Sequence, residues 1–393
     1  MARQVKHMND LKVGHGRECI TPPLGIRMVG YAARTDGAAE VHDDLFVNAV
    51  VLEGGDQKVA ILAYDICLFR TEMAGMGKSL IEEATGLRPE QVLLNTSHTH
   101  AGPALGGRDE PREDEENYRA EVLQKSLRAL RTALAGTAPA VFSAGSAPVD
   151  IGCNRRERQE DGTIKLGHNP DGPSLPEMTV WRFARSQMPD VVLFSTPMHG
   201  TTLGGENLSI SAEWMGLAVH YIEAASPDVR AVFLQGCGGD QDPYYSLDTG
   251  ARGTFQEVEQ HGRDAAAAVG KALEGTRQLD PLPLRTVLRE VALPDKEDAS
   301  ERRAMPIHGL RIGDAMLVAL GCEAFVEFAL FGRATSAADE TLLLAYSNGN
   351  VGYLCTADAF ETGGYEPSTS RVAPQSEQIA KQAIREVFAA LAD

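Results

Sequence analysis

The chain has 393 residues, 43% of them apolar, which is enough to bury a large core and excludes disorder as the default state. Its 37 basic residues stand against 55 acidic ones, and a formal charge of −18 offers neither nucleic acid nor an anionic bilayer a cationic face, so no nucleic-acid partner is expected and a neutral or cationic substrate is. Residues 1 to 10 hold no apolar leader core and no later run reaches about eighteen apolar residues, so a soluble, cytoplasmic protein without a stable membrane anchor is expected.

Taken in chain order, Phe46-Val47-Asn48-Ala49-Val50-Val51-Leu52 and Lys58-Val59-Ala60-Ile61-Leu62-Ala63-Tyr64-Asp65 read as strands joined by the turn Gly54-Gly55-Asp56. A helix is expected over 71 to 85, then the strand Gln91-Val92-Leu93-Leu94-Asn95, then a long helix over 117 to 135. Asp190 to Ser195 and Arg230 to Leu234 are short apolar strands, each followed by a glycine-bearing polar loop. Helices over 211 to 225, 254 to 274 and 375 to 391 continue the alternation, with further strands over 282 to 293 and 310 to 320. With no repeat and no linker, the pattern predicts one α/β domain over residues 1 to 393, a mixed β-sheet flanked by helices. The oligomeric state is not legible. Two acidic runs, 108 to 116 and 295 to 298, read as a solvated loop or helix start; the first lies just behind His100, where it could also serve as a lid.

The strand over 91 to 95 delivers Asn95-Thr96-Ser97-His98-Thr99-His100. Residues i and i+2 of a strand share a face, so His98 and His100 can converge on a metal, or stand as two loop histidines. Far along the chain come Met198-His199-Gly200-Thr201, Glu323 with Glu327 one helical turn later as its alternative, and the tyrosines Tyr353 and Tyr365. Zinc accepts imidazole nitrogen and carboxylate oxygen, and His98, His199 and Glu323 supply that kind of set. Tyr353 also reads as a core tyrosine, and Asn154-Arg155-Arg156 as a solvated loop. Gln235-Gly236-Cys237-Gly238-Gly239-Asp240 reads as a tight loop where backbone approaches a ligand, and Asp240 and Asp242 either orient a zinc histidine or cap the following segment. Gly77-Lys78-Ser79 imitates a phosphate loop, but Glu72 stands where its first glycine belongs, so nucleotide binding is not expected. Six scattered cysteines, Cys19, Cys67, Cys153, Cys237, Cys322 and Cys355, form no C-x-x-C pair and are expected to be mostly buried free thiols.

Ser97-His98-Thr99-His100-Ala101-Gly102-Pro103 resembles the T-H-T-H-S-G-P segment of the neutral, non-lysosomal ceramidases, and Pro197-Met198-His199-Gly200-Thr201-Thr202 resembles their second zinc-histidine segment. Gly352-Tyr353-Leu354-Cys355-Thr356 followed by Tyr365-Glu366 is similar to the family's Y-V-T-T…Y-E-G run, and Ile20-Thr21-Pro22-Pro23 and Val41-His42-Asp43-Asp44-Leu45 fit its N-terminal pattern. The resemblance implies the catalytic domain of a zinc-dependent amidohydrolase, with Zn2+ bound by His98, His199, Glu323 and Tyr353 and an activated water as nucleophile. It implies that His100 faces the substrate and passes a proton to the departing amine, and that Tyr365 and an arginine, Arg155 in preference to Arg156, steady the oxyanion.

The family's G-D-x-S-P-N segment is here Gly239-Asp240-Gln241-Asp242-Pro243-Tyr244, with Asp242 where a serine would stand. No G-x-S-x-G elbow replaces it, so a serine nucleophile is not expected. Full-length relatives add a C-terminal β-sandwich and this chain ends at Asp393, so a short form acting on a small soluble amide, ester or lactone is expected in preference to ceramide. A metal-stabilised binding protein without turnover would share the ligands, but would not need His100, Arg155 and Tyr365 together.

Overall fold

Phe46–Gly54 and Gln57–Tyr64 carry apolar residues on both faces, and strand alternation sends Val47, Ala49 and Val51 into one core and Val50 and Leu52 into another. A strand of that kind must be covered on both sides. The computed structural model, which describes residues 11–103, 112–245 and 253–392, shows what covers it. A large sheet runs from Val229–Phe233 through Asp190–Ser195, Glu177–Arg185, Ala138–Pro148, Leu11–Cys19, Phe46–Gly54 and Gln57–Tyr64 to Val92–Thr96, with Arg277–Gln278 beside Ala138–Pro148. The pair at each edge is parallel and the pairs between are antiparallel, so the sheet is mixed, as expected. Its outer face packs on Glu113–Ala135, Glu213–Ala225 and Phe255–Glu274.

The inner face packs on a second sheet, Leu284–Pro294, Arg302–Ile312, Ala315–Leu320 and Glu340–Leu344, whose far side is covered by Val326–Thr335 and Ser376–Ala392. Helix, sheet, sheet and helix thus form four layers. The second sheet was only half legible: the strand expected over 310 to 320 is a hairpin that turns at Gly313, in the left-handed region at φ 57. Asn95, fully buried, ties the layers where the chemistry gathers: its Nδ2 donates to the Ala345 carbonyl at 2.9 Å and the Ser347 hydroxyl at 3.0 Å, and its Oδ1 accepts from the Gln235 amide at 2.8 Å.

The long helix starts at Glu113, four residues before its expected start at 117, because the Arg112 amide donates to Glu115 and Arg27 grips that same carboxylate. The acidic residues 113 to 116 form its first turn, where negative charge suits the helix dipole. The rest of the expected lid, residues 108 to 111, lies outside the described residues. The phosphate-loop imitation is helix interior, with Lys78 donating to the Pro89 carbonyl at 3.3 Å. All six cysteines are free, and all but Cys19 are buried. Among the described residues no helix is long and apolar enough to cross a membrane.

Candidate metal centre and active site

The strand Val92–Thr96 ends two residues before His98, which has a left-handed backbone at φ 62. The two histidines therefore do not converge by strand alternation, as the sequence predicts; a turn brings them together, and their Nε2 atoms lie 3.1 Å apart. An unfavourable backbone at a non-glycine residue marks a position that its surroundings over-determine. The surroundings here are the His199 segment. Thr99 and Gly200 form a parallel bridge, and the His100 amide donates to the Gly200 carbonyl at 2.9 Å. A Cβ at Gly200 would stand 3.0 Å from the His98 carbonyl oxygen and 2.6 Å from Met215, so any side chain there would push the two histidine segments apart.

The carboxylate arrives from the other side. Glu323–Ala324 pairs in parallel with Tyr353–Leu354, and the register sets Glu323 directly beside Tyr353. Glu323 Oε2 lies 3.4 Å from His98 Nε2, whereas the alternative, Glu327, lies on the helix Val326–Thr335 beside Lys381, Asp358 and Arg156. The glycine-rich loop does approach closely, but it approaches protein: a Cβ at Gly239 would meet the Glu323 carbonyl at 2.7 Å, and the Gly239 amide donates to Ala324.

Each buried imidazole is anchored through Nδ1 to a main-chain carbonyl, His98 to Cys67 at 2.7 Å and His199 to Gln241 at 3.0 Å. That anchoring turns each Nε2 inward, where a metal that takes the place of the His98 proton would meet both. His199 Nε2 is buried without a hydrogen-bond partner among the described residues. His98, His199 and Glu323 each offer a ligand atom within 4.8 Å of the others, a donor set of two nitrogens and an oxygen that suits Zn2+. Cys67, His98 and His100 form a second close group, but the Cys67 thiol lies 3.4 Å from Nδ1 of His98, across the ring from Nε2. The first set therefore fits a metal better.

The electrostatics agree. Burial pushes His98 down, but Cys67 and Glu323 beside it outweigh burial and raise it to about 10. Burial and the charge on His98 push His100 well below the ordinary imidazole range; burial, Arg155 and His98 do the same to His199. Burial also raises Glu323, but His98 and Arg155 more than reverse it, so its carboxylate stays ionised. The cluster favours one positive charge at its centre and rejects protons elsewhere.

Arg155 and Arg156 part company. A bulge between Asn154 and Arg156 turns Arg155 inward, where it donates to Glu366 at 2.8 Å, Asp242 at 3.2 Å and the Tyr353 hydroxyl oxygen at 3.0 Å. Arg156 takes the other oxygen of Glu366 and the Gly363 carbonyl. Arg155 is 2% exposed and stands behind Tyr353, so it acts on the site through that tyrosine. Burial and Glu323 raise Tyr353 well above the ordinary phenol range, and Arg155 opposes that rise. The two aspartates also divide: Asp240 caps the helix at Val326 and accepts from Asn154, whereas Asp242 accepts from Arg155 and Thr201, 3.7 Å from His199 Nδ1.

Sequence reasoning missed the Cys67 and Gln241 carbonyls, the Tyr346 ring stacked on His98 at 4.1 Å, and the edge of Tyr31 against His100 at 5.1 Å. A cavity of about 450 Å3 opens onto His98, His100, Glu323, Tyr353 and Tyr365. Two larger hollows, about 620 and 640 Å3, lie elsewhere and touch none of the seven expected site residues.

A solved structure of neutral ceramidase from Pseudomonas aeruginosa matches 97% of this chain and 74% of its own, with a TM-score of 0.82 at 18% identity. The chain has the neutral-ceramidase fold. A second solved structure, a ceramidase complexed with C2, gives the same TM-score over 98% of this chain and 75% of its own, at 17% identity. No protein-family model matches the chain. At these identities the likeness to the neutral ceramidases is one of fold.

Proposed function

We propose that the protein is a metal-dependent hydrolase of amide bonds, with Zn2+ held by His98, His199, Glu323 and Tyr353. The observation that carries this reading is the pair of carbonyl-anchored imidazoles whose Nε2 atoms gather beside Glu323 at the base of an open cavity. Those residues would hold the ion, which would supply Lewis acidity toward a carbonyl and a water at the site.

The chain's own groups do the rest. His100, kept neutral by burial and by its neighbours, accepts the proton released as the C–O bond forms and gives it to the amine nitrogen as the C–N bond breaks. Tyr365, 45% exposed at the mouth and edge-on to Tyr353 at 5.8 Å, donates its hydroxyl hydrogen to the developing oxyanion. Arg155 positions the Tyr353 oxygen, and Asp242 holds Arg155. Ser209 and Ser211 donate their hydroxyls to Glu40 and Asp43, so neither is held ready to attack, and water is the nucleophile in this reading.

The test is a panel of N-acyl and ester substrates with and without chelator, together with mass spectrometry of a rapidly quenched reaction. Chelator-sensitive hydrolysis without a covalent adduct is expected; a substrate-sized acyl group on any serine would overturn the water mechanism.

A further inference from the structure

Four arginines, Arg27, Arg34, Arg70 and Arg371, line the cavity against one carboxylate, Glu323, in a chain whose net charge is −18. Two of them are committed to the fold. Arg27 is clamped on Glu115, and Arg34 spends its guanidinium on the carbonyls of Val29, His100, Gly204 and Gly205. Arg70 and Arg371 are different: both are exposed, and among the described residues neither guanidinium has a hydrogen-bond or ion-pair partner.

Their placement is shared. A Cβ at Gly349 would collide with Thr71, next to Arg70, and a Cβ at Gly352 would touch the stem of Arg371. The two arginines thus flank one short loop, 349 to 352, whose Asn350 donates to Glu323 and which leads directly into Tyr353. Two forked cations at the rim of a cleft that ends at the histidines focus negative charge into it. A neutral amphiphile would gain nothing from them.

We propose, building on the hydrolase reading, that the substrate carries an anionic group, a carboxylate or sulfonate, which Arg70 and Arg371 hold at the mouth while its amide lies at the histidines. This reverses the expectation of a neutral or cationic substrate. Net charge reports on the whole surface, whereas binding depends on the few charges that face the cavity.

The experiment compares kcat/KM for an N-acylglycine, the matching N-acyltaurine and a mono-amide of a dicarboxylic acid with the neutral N-acylglycinamide of the same chain length. The first two place the anion on the amine half, the third on the acyl half, so a preference for either pattern locates the group. A preference for anionic over neutral substrate of about 10-fold is expected, the size of a charge-assisted contact. That ratio should fall toward one in the Arg70→Gln/Arg371→Gln double variant, and added salt should shrink it in the wild type. Equal turnover of neutral and anionic members, or a ratio that survives the double substitution, would overturn the proposal. If nothing in the panel is hydrolysed, the hydrolase reading fails and calorimetric binding of the same compounds decides. Tighter binding of the anions that is lost in the double variant supports the proposal, and equal binding refutes it.

Discussion

At the floor of the cavity Arg155 is 2% exposed and meets Asp242 and Glu366, themselves 0% and 1% exposed, and His98 meets Glu323, so each of these buried charges has an opposite charge within hydrogen-bonding or ion-pair range. At the rim, Arg70 and Arg371 stand in solvent with no counter-charge among the described residues. Buried charge is tolerated only when it is paired, so the floor is rigid and its geometry is fixed before anything binds. Exposed charge costs the fold little, so the rim is free to be chosen for its effect on ligands. In the proposed function, chemistry and selection are thereby separated by depth.

The sharpest attack on the floor is His199→Ala, which removes an orphaned buried nitrogen and should bring turnover to background while the fold, followed by circular dichroism, survives. Arg155→Met should follow in size, because it leaves Asp242 and Glu366 buried without their cation. Denaturant unfolding should show a loss of about 3–5 kcal/mol, and full stability in this variant would mean that the floor is not held by charge pairing. Arg155→Lys should recover part of the stability but less of the metal content, since a point charge cannot reach Tyr353 and both carboxylates together.

His100→Ala should keep its metal and lose on the order of 100-fold in kcat, the usual contribution of general acid-base help. Loss of metal instead would move His100 into the ligand set. The smallest effect concerns Glu213, a buried carboxylate that accepts from the Leu203 and Trp214 amides and that burial raises to about 7. Its folded pKa lies above the unfolded one, so its stabilisation is fully present below about pH 4.5 and is lost as pH rises through about 7. Unfolding of Glu213→Gln across that window should show a flatter pH dependence than the wild type; an unchanged slope would place the titration elsewhere.

Much of the floor was legible because its chemistry sits on side chains. His98, His100, His199, Glu323, Tyr353 and Tyr365 fall in ordered motifs, and all but His199 line the cavity, with His199 buried against His98 at a ring separation of 4.7 Å. What holds those side chains was not legible. The carbonyls of Cys67 and Gln241 could belong to any residue type, the left-handed turn at His98 has no glycine to announce it, and the choice of Arg155 over Arg156 depends on a bulge that only the pairing reveals. The same limit applied to the fold. Apolar runs marked the strands of the large sheet and several helices, whereas the second sheet, stacked on the face those runs also bury, was missed in part because one hairpin read as a single strand. Net charge is silent on the site for a related reason, since a sum over 393 residues says nothing of four arginines around one opening.

The central claim is that one metal ion sits between the histidines, and elemental analysis of the purified protein beside His98→Ala and His199→Ala tests it most directly. The wild type should carry about one zinc per chain and each variant should lose most of it, because removing either imidazole breaks the donor set of His98, His199 and Glu323. Equal metal content in all three proteins would contradict the site.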